Sequence, residues 1–523
     1  MIYFSALFIC KNNFIQIKNS LKALILSNFA RLNPLTKRHI YDKITILIYK
    51  EAIMIKLHNT LSGLVEEFKP INDTKVNFYC CGPTVYNDIH VGNARPLVVF
   101  DTVRRFLIFM GYDVKYVFNF TDVDDKIINK ANESGITSNE VAEKYIERFK
   151  DVATRLGIYD YDNINPRATE HMDEIIDFIK GLIEKGAAYE SDGDVYFDTT
   201  KAKDYGKLSK KNIDDLISGL RVDINEKKKN PLDFALWKKA KPNEPHWASP
   251  WSDGRPGWHI ECSAMSRAIL GDTLDIHAGG SDLEFPHHEN EIQQSEALTG
   301  KPFAKYWLHN GMVNVDGKKM SKSLGNFILL KDLLDDYDKD TVRFFILSTH
   351  YRKPMNFTKE GMDGAKNSVK RIHNALKRLE AIKDTGKKAS DEIIKEVDSE
   401  VAGFIAAMSD DFNTADALTC IFNIVKIINK LEDDDYESAK YIEDKLNDLL
   451  KVLGLDDSEA VMKEDESDAS LGEDEYKIKK MIDERNEARM NKDYAKADKI
   501  RDDLLAMGIK IIDSKDGQRW EKI

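Results

Sequence analysis

Cysteine is scarce: the 523 residues contain five, at Cys10, Cys80, Cys81, Cys262 and Cys420. So few thiols, so scattered, exclude a disulfide framework and fit a reducing compartment with metal-binding or reactive cysteines. No run of 18 or more apolar residues occurs, which argues against a helical membrane span. No Gly-x4-Gly-Lys-Ser/Thr loop occurs either, so a Walker-type ATP site is excluded. There is no internal repeat. Positive charge is not in excess: 77 Lys/Arg stand against 89 Asp/Glu, a net charge of −12. A nucleic acid would therefore be held on local basic patches and not by overall charge.

What is present is ample for globular structure. Apolar content is 42% and charged content 32%, and the length suits about two to four domains. Residues 1–53 stand apart, with eight Lys/Arg and two acids, Asp42 and Glu51. Their charge of +6 leaves −18 on residues 54–523. An acid-poor basic leader resembles an organellar transit peptide; the alternative, which we favour, is that translation starts at Met54 and the protein is cytoplasmic.

Chemistry concentrates first in Tyr79-Cys80-Cys81-Gly82-Pro83-Thr84-Val85-Tyr86-Asn87-Asp88-Ile89-His90-Val91-Gly92-Asn93-Ala94-Arg95. A β-rich run, Val76–Tyr79, precedes the turn, and an apolar run from Pro96 to Leu107 suits a buried helix. A strand passing through a loop into a helix is how α/β folds build phosphate sites, because the helix N-terminus presents unpaired N–H groups. Gly92 would let a flat base approach the backbone. The plain alternative is a βα turn with a core histidine. The second concentration is Gly317-Lys318-Lys319-Met320-Ser321-Lys322-Ser323, whose ammonium groups suit charge developing on a phosphate; alone, it would pass for a solvated basic turn.

Val114–Phe120 reads as a strand. Thr121-Asp122-Val123-Asp124-Asp125-Lys126 follows at its carboxyl end, with Thr121 or Asp122 as a candidate helix cap. Met172–Lys185 has a helical pattern and Tyr189–Phe197 that of a hairpin. Gly257–Met265 leads into a helix, Asp275–Asp282 is a strand with a glycine-rich turn, and Phe285-Pro286-His287-His288-Glu289-Asn290-Glu291 opens another helix. His287 and Glu291, four apart, share a helix face and suit two metal ligands; His288 and Glu291 would do almost as well. Apolar residues at 365, 369, 372, 376, 379 and 382 form one stripe of a helix, with Lys366, Lys370, Arg371, Lys377 and Arg378 toward its polar side. Asp410–Leu418 opens a further helix. Residues 456–475 are acidic and poor in large apolar residues, as in a disordered linker. Beyond them come a charged helical segment and a small terminal hairpin.

Together, His90-Val91-Gly92-Asn93 and Lys319-Met320-Ser321-Lys322-Ser323 resemble the two signature motifs of class I aminoacyl-tRNA synthetases. With Cys81-Gly82-Pro83-Thr84-Val85-Tyr86, Thr121–Lys126, Gly257–Met265 and Phe285–Glu291 in this order, the chain from about Lys56 to Ile523 resembles the cysteinyl-tRNA synthetase family. The resemblance implies an α/β fold: a Rossmann-like parallel-sheet catalytic domain with an insertion, then a helical bundle and a small C-terminal anticodon-binding domain. The expected divisions are catalytic halves at 54–167 and 246–326, an insertion at 168–245, a stem-contact region at 327–370, a tRNA-binding bundle at 371–455, a linker at 456–476 and an anticodon-binding domain at 477–523.

The resemblance further implies one zinc ion per chain, held by Cys81, Cys262, His287 and Glu291. Cys81 is preferred to Cys80 because it directly precedes Gly82. Zinc prefers thiolate to hydroxyl, so it would separate cysteine from serine where shape alone discriminates by only about 1–3 kcal/mol. A purely structural zinc is the alternative. The implied catalytic residues are His90, Lys319 and Lys322. ATP would be met by His90, Gly92, Asn93, His277, Gly279, Asp282 and Lys322, with magnesium on the triphosphate. Asn93 departs from the His-Ile-Gly-His form and carries no charge. Thr121 and Trp258 would line the cysteine pocket. The implied partners are tRNA(Cys), ATP and L-cysteine, with no DNA and no membrane, and the protein a monomer. Two rival readings are a paralogue that passes activated cysteine to a small amine and a non-catalytic RNA-binding relic.

Overall fold

The computed structural model describes residues 53–158, 163–202, 204–211, 227–320, 326–456, 478, 481–482, 484–485, 488–489, 493–514 and 517–522, with side chains up to residue 511. Apart from Ile53 and Asp456, the expected leader at 1–53 and linker at 456–476 lie outside the described residues, as does Lys322. The chain divides into two compact units, one ending at Asp456 and the other beginning at Asp457.

In the first unit, a short hairpin of β1 (Lys56–Asn59) and β2 (Leu64–Glu67) precedes β3 (Lys75–Cys80). From β3 the chain enters α1 (Val91–Phe109), then β4 (Asp113–Phe118), α2 (Asp125–Ser134), α3 (Ser138–Arg155) and β5 (Asn163–Ile164). α1 buries Leu97, Val98, Phe100 and Val103, and Phe100 meets Phe78 of β3 edge-on at 6.2 Å. The cap of α2 is Asp124, whose carboxylate accepts the Lys126 N–H, and neither Thr121 nor Asp122. Asp122 instead accepts the N–H and hydroxyl of Thr169.

The insertion holds α4 (Met172–Glu184) and an antiparallel sheet of β6 (Ala188–Ser191), β7 (Asp194–Phe197), β8 (Phe234–Lys239) and β9 (Gly254–Pro256). This sheet carries the insertion past residue 245. The chain then returns through α5 (Trp258–Leu270), β10 (Leu274–Gly280), α6 (Glu289–Thr299) and β11 (Ala304–Asn310).

β11, β10, β3, β4 and β5 lie in that order, and every neighbouring pair is parallel. The chain runs outward from β3 to β5 on one side and, after the insertion, from β10 to β11 on the other. The order reverses between β3 and β10. In open α/β sheets ligands bind at this switch point, outside the carboxyl ends of the strands. Both β3 and β10 are flanked by strands and covered on both faces, which explains their nearly continuous burial.

A small sheet follows, with β12 (Val313–Val315) between β13 (Lys318–Lys319) and a later strand. α7 (Leu330–Asp336) and α8 (Lys339–Leu347) precede that strand, β14 (Met355–Phe357). The expected helical region is α9 (Lys359–Ala381), α10 (Asp391–Ser409), α11 (Thr414–Ile428) and α12 (Tyr436–Leu453). Ala365, Val369, Ile372, Leu379 and Ile382 of the stripe are buried and Leu376 is half-buried, against Phe404, Ile421, Ile424 and Leu446.

The second unit contains α13 (Tyr494–Ala506) and the antiparallel hairpin of β15 (Ile509–Ser514) and β16 (Gly517–Lys522), in which Ile511 pairs with Trp520. Its core is Ile478, Ile500, Leu504 and Ile509. No described helix is long and apolar enough to cross a membrane.

Candidate metal centre and nucleotide cleft

Strand alternation separates the adjacent thiols. Cys80 faces the core beneath α1, where burial pushes its pKa up to about 12 and leaves it inert. Cys81, just beyond β3, faces the opposite way, and its N–H donates to Ala278 O of β10 at 3.0 Å. Gly82 is obligatory here, because a Cβ would lie 1.7 Å from Asn119 O. Its N–H donates to Asn119 Oδ1 at 3.0 Å, and the Cys262 thiol lies 3.7 Å from the same oxygen.

Cys262 comes from the second turn of α5, His287 from the turn before α6, and Glu291 from the start of α6. All four expected ligands are buried, with donor atoms within 4.8 Å of one another. A tetrahedral zinc needs sulfur pairs about 3.8 Å apart and sulfur–oxygen pairs about 3.5 Å apart, given its bond lengths. Cys81 Sγ is 3.7 Å from Cys262 Sγ and 3.5 Å from Glu291 Oε1. His287 Nε2 sits 2.6 Å from Glu291 Oε1, a hydrogen bond that an ion would have to part. The set fits zinc in donor type and in spacing.

A second buried group overlaps it: Cys81, His277, His288 and Glu291. His277 Nε2 lies 2.7 Å from Glu291 Oε2. His288 reaches Cys81 Sγ through Nε2 at 3.3 Å and His309 Nε2 through Nδ1 at 2.8 Å. Only the first group has two thiols, and zinc's affinity for thiolate favours it. His259 Nδ1 lies 3.0 Å from His287 Nδ1, a contact that would orient the imidazole of a metal ligand. Burial pushes Glu291 upward, but the imidazoles of His287 and His277 outweigh it and hold the carboxyl well below its usual range. Burial lowers His287, and Glu291 and Cys262 outweigh this to raise it to about 10. The Cys262 thiol is pulled down to about 6, chiefly by its hydrogen bond from Cys81.

Beside this cluster opens a cleft of about 420 Å³, lined among others by Cys81, His90, Gly92, Asn93, Trp258, Asp282 and Lys319. His90 caps α1: its Nδ1 accepts the Gly92 N–H at 3.1 Å, and Asn93 Oδ1 accepts the His90 N–H at 3.1 Å. Asn93 thus closes a capping box. The chain beyond the lysine signature returns to the same turn. Val91 N–H donates to Ile328 O, and Leu330 N–H to Ile89 O, both at 3.0 Å. Trp258 stands between cleft and cluster, stacked on His287 with ring centres 4.2 Å apart.

Three expected residues sit elsewhere. His277 is fully buried and bonded to Glu291 among Tyr79, Phe303 and Trp307, so its side chain lies against the cluster and not on the cleft wall. Gly279 is buried, and a Cβ there would lie 2.8 Å from the His288 ring. It makes room for that ring and does not line the cleft. Thr121 is buried behind the cleft wall, its N–H donating to Pro83 O at 3.2 Å. On α9, Lys366 and Arg371 are exposed, whereas Arg378 is committed to the carbonyls of Ile428 and Leu431. Sequence reasoning did not single out Arg95, His259 or His309. A charged residue directly before the apolar run of α1 was the available signal for the first.

A cleft over the switch point of a parallel sheet, walled by a capped His-Val-Gly-Asn turn and the strand of a lysine signature, defines a class I aminoacyl-tRNA synthetase. Residues 67–367 match the family model for the tRNA synthetases class I (C) catalytic domain, 403–455 the DALR domain, and 477–520 the cysteinyl-tRNA ligase anticodon binding domain. Among solved structures, the Mycobacterium tuberculosis methionyl-tRNA synthetase in complex with methionyl-adenylate shares the fold. Its TM-score is 0.52 at 14% identity, over 73% of this chain and 90% of that one. The cysteine–tRNA ligase of Finegoldia magna is 53% identical over 476 residues, covering 90% of this chain and all of the relative. That of Fusobacterium nucleatum is 50% identical over 473 residues, covering 89% and all. The chain belongs to the cysteinyl-tRNA synthetase family.

Proposed function

We propose that the chain ligates L-cysteine to tRNA(Cys) in two steps. The cysteine carboxylate attacks the α-phosphorus of ATP, giving cysteinyl adenylate and pyrophosphate. A ribose hydroxyl of the terminal tRNA adenosine then attacks the acyl carbon and displaces AMP. The observation that carries the reading is the juxtaposition of a two-thiol, zinc-fitting cluster with the signature cleft, Cys81 bordering both.

Cys81, Cys262, His287 and Glu291 would hold one zinc ion. Bound there, zinc supplies a borderline-soft acid that prefers sulfur to oxygen. The protein's own work is positioning and charge stabilisation. The His90 imidazole and the Asn93 side-chain amide, both on the cleft wall, would offer polar hydrogens to the triphosphate, with Gly92 against the adenosine. Asp282, on the cleft wall, suits the ribose or base. Lys319 and Lys322 stabilise the departing pyrophosphate, with magnesium accompanying ATP. Trp258 covers the cysteine side chain and keeps water from it. Residues 371–455 and 477–523 take the tRNA, with the anticodon on the latter. The protein acts as a cytoplasmic monomer.

The test is cysteine-dependent ATP–pyrophosphate exchange, with serine as control, before and after chelation of the metal. Exchange with cysteine alone, lost on chelation, is expected. Equal exchange with serine, or indifference to chelation, overturns the zinc-thiol basis of the reading. The small-amine rival predicts no esterification of tRNA.

A further inference from the structure

Arg95 stands three residues beyond Gly92, in the first turns of α1, and is fully buried. Its Nη1 donates to the carbonyls of Gly311 at 2.8 Å and Met312 at 3.1 Å. Its Nη2 donates to those of Lys353 at 2.5 Å and His350 at 3.3 Å. Among the described residues no carboxylate pairs with it, and burial alone pulls its pKa to about 10. It remains a cation at neutral pH. A buried cation without a counter-charge is costly, and an apolar side chain would serve the core of α1 at less expense. The four carbonyls are therefore the reason for the charge.

Those carbonyls belong to two backbone segments. Gly311 and Met312 line the cleft and lead directly into β12, which pairs with β13 through Asn314 and Lys319. Residues 350–353 lead into β14, the other partner of β12. The two segments touch through their main chains: Gly311 N–H donates to Tyr351 O at 2.8 Å, and a Cβ at Gly311 would lie 2.6 Å from Lys353 O. Arg95 sits where they meet, on the same helix that His90 caps. Only a planar fork spans four carbonyls at once; an ammonium is a point donor.

We propose that Arg95 is a positioning residue for adenylate formation: by holding Gly311–Met312 and 350–353 against α1, it fixes the strand bearing Lys319 relative to His90. The proposal rests on the functional reading above. The lysine strand concerns the triphosphate, whereas cysteine capture belongs to the metal cluster, so the two halves of the chemistry respond differently.

The experiment uses the full chain with Arg95→Met and Arg95→Lys. It reads the kcat and cysteine KM of ATP–pyrophosphate exchange, the zinc content, and single-turnover transfer to tRNA(Cys) from supplied cysteinyl adenylate. Displacement of about an ångström lowers a rate roughly 100-fold; that fall is expected in exchange kcat for R95M, with R95K between it and the unmodified chain. Zinc content, cysteine KM and transfer stay within about twofold. An exchange defect smaller than about tenfold in R95M overturns the proposal. So does a loss shared by zinc content, cysteine KM and transfer, which is the signature of a merely structural arginine. If R95M does not fold, R95K decides by the same split, a threefold loss confined to exchange being the least that sustains the proposal. Absence of exchange in the unmodified chain would instead strike the functional reading itself.

Discussion

Gly92→Ala tests the signature turn most directly. A Cβ on residue 92 would lie 2.8 Å from both Cε1 and Nδ1 of the His90 ring and 3.0 Å from Met320 Cε. Ordinary contact begins at 3.4 Å, so the ring must retreat by about 0.6 Å. It has little freedom to do so. Its Nδ1 accepts the Gly92 N–H, and its face meets Phe327 edge-on with centres 4.8 Å apart. Retreat breaks the cap, worth about 1 kcal/mol, which is too little to unfold a unit with so large a core. The effect on chemistry is greater, because misplacement approaching an ångström costs up to about 100-fold in rate. The expected result is a 30- to 100-fold loss of kcat/KM for ATP in pyrophosphate exchange, by the same principle, with unchanged zinc content and circular dichroism. Exchange within about twofold of the unmodified chain would refute the argument that His90 must hold this position.

Cys262→Ser should lower zinc content and raise the cysteine KM at least about 100-fold, while ATP binding changes little; atomic absorption and exchange kinetics check it. Asp101→Asn removes the carboxylate that accepts from Arg343 at 2.8 Å and Arg105 at 2.7 Å, leaving a fully buried guanidinium without its directly bonded counter-charge. The expected cost is about 3–5 kcal/mol, read as a lower urea midpoint at pH 7. Burial raises the Asp101 pKa, but Arg343, Arg105 and Arg104 outweigh it and depress the folded value. Its stabilisation is therefore complete above the ordinary carboxylate pKa and fades as pH falls through the folded value, a limb that D101N should lack.

Strands β3, β4 and β10 were legible because their signals are local: β-rich runs and glycine-rich turns announce themselves within a few residues. The four cluster residues came from the motif resemblance, because spacing alone left His287 and His288 both open beside Glu291. The choice of Cys81 over Cys80 follows from alternation along β3 once the strand is known. The role expected for His277 came from the resemblance and not from a local pattern. Yet every residue from Leu274 to Gly279 is buried, as a central parallel strand demands, so its side chain serves the interior. Arg95, His259 and His309 depend on partners 21 to 258 residues away, such as Lys353, His287 and His288. No pattern along the chain reports such distant carbonyls and rings. The α2 cap shifted from Thr121 or Asp122 to Asp124 because Thr121 pairs with Thr84 and Asp122 with Thr169.

The insertion between the two halves of the sheet has a consequence for synthesis. Cys81 and Cys262, which touch in the finished fold, are 181 residues apart. At about 5–20 residues per second, the ribosome delivers the second thiol roughly 10 to 40 s after the first. For that interval the nascent chain carries two neighbouring cysteines with neither α5 nor α6 to shield them. Contacts so distant in sequence also form late. The pocket that would tell cysteine from serine is thus among the last parts of the sheet to close.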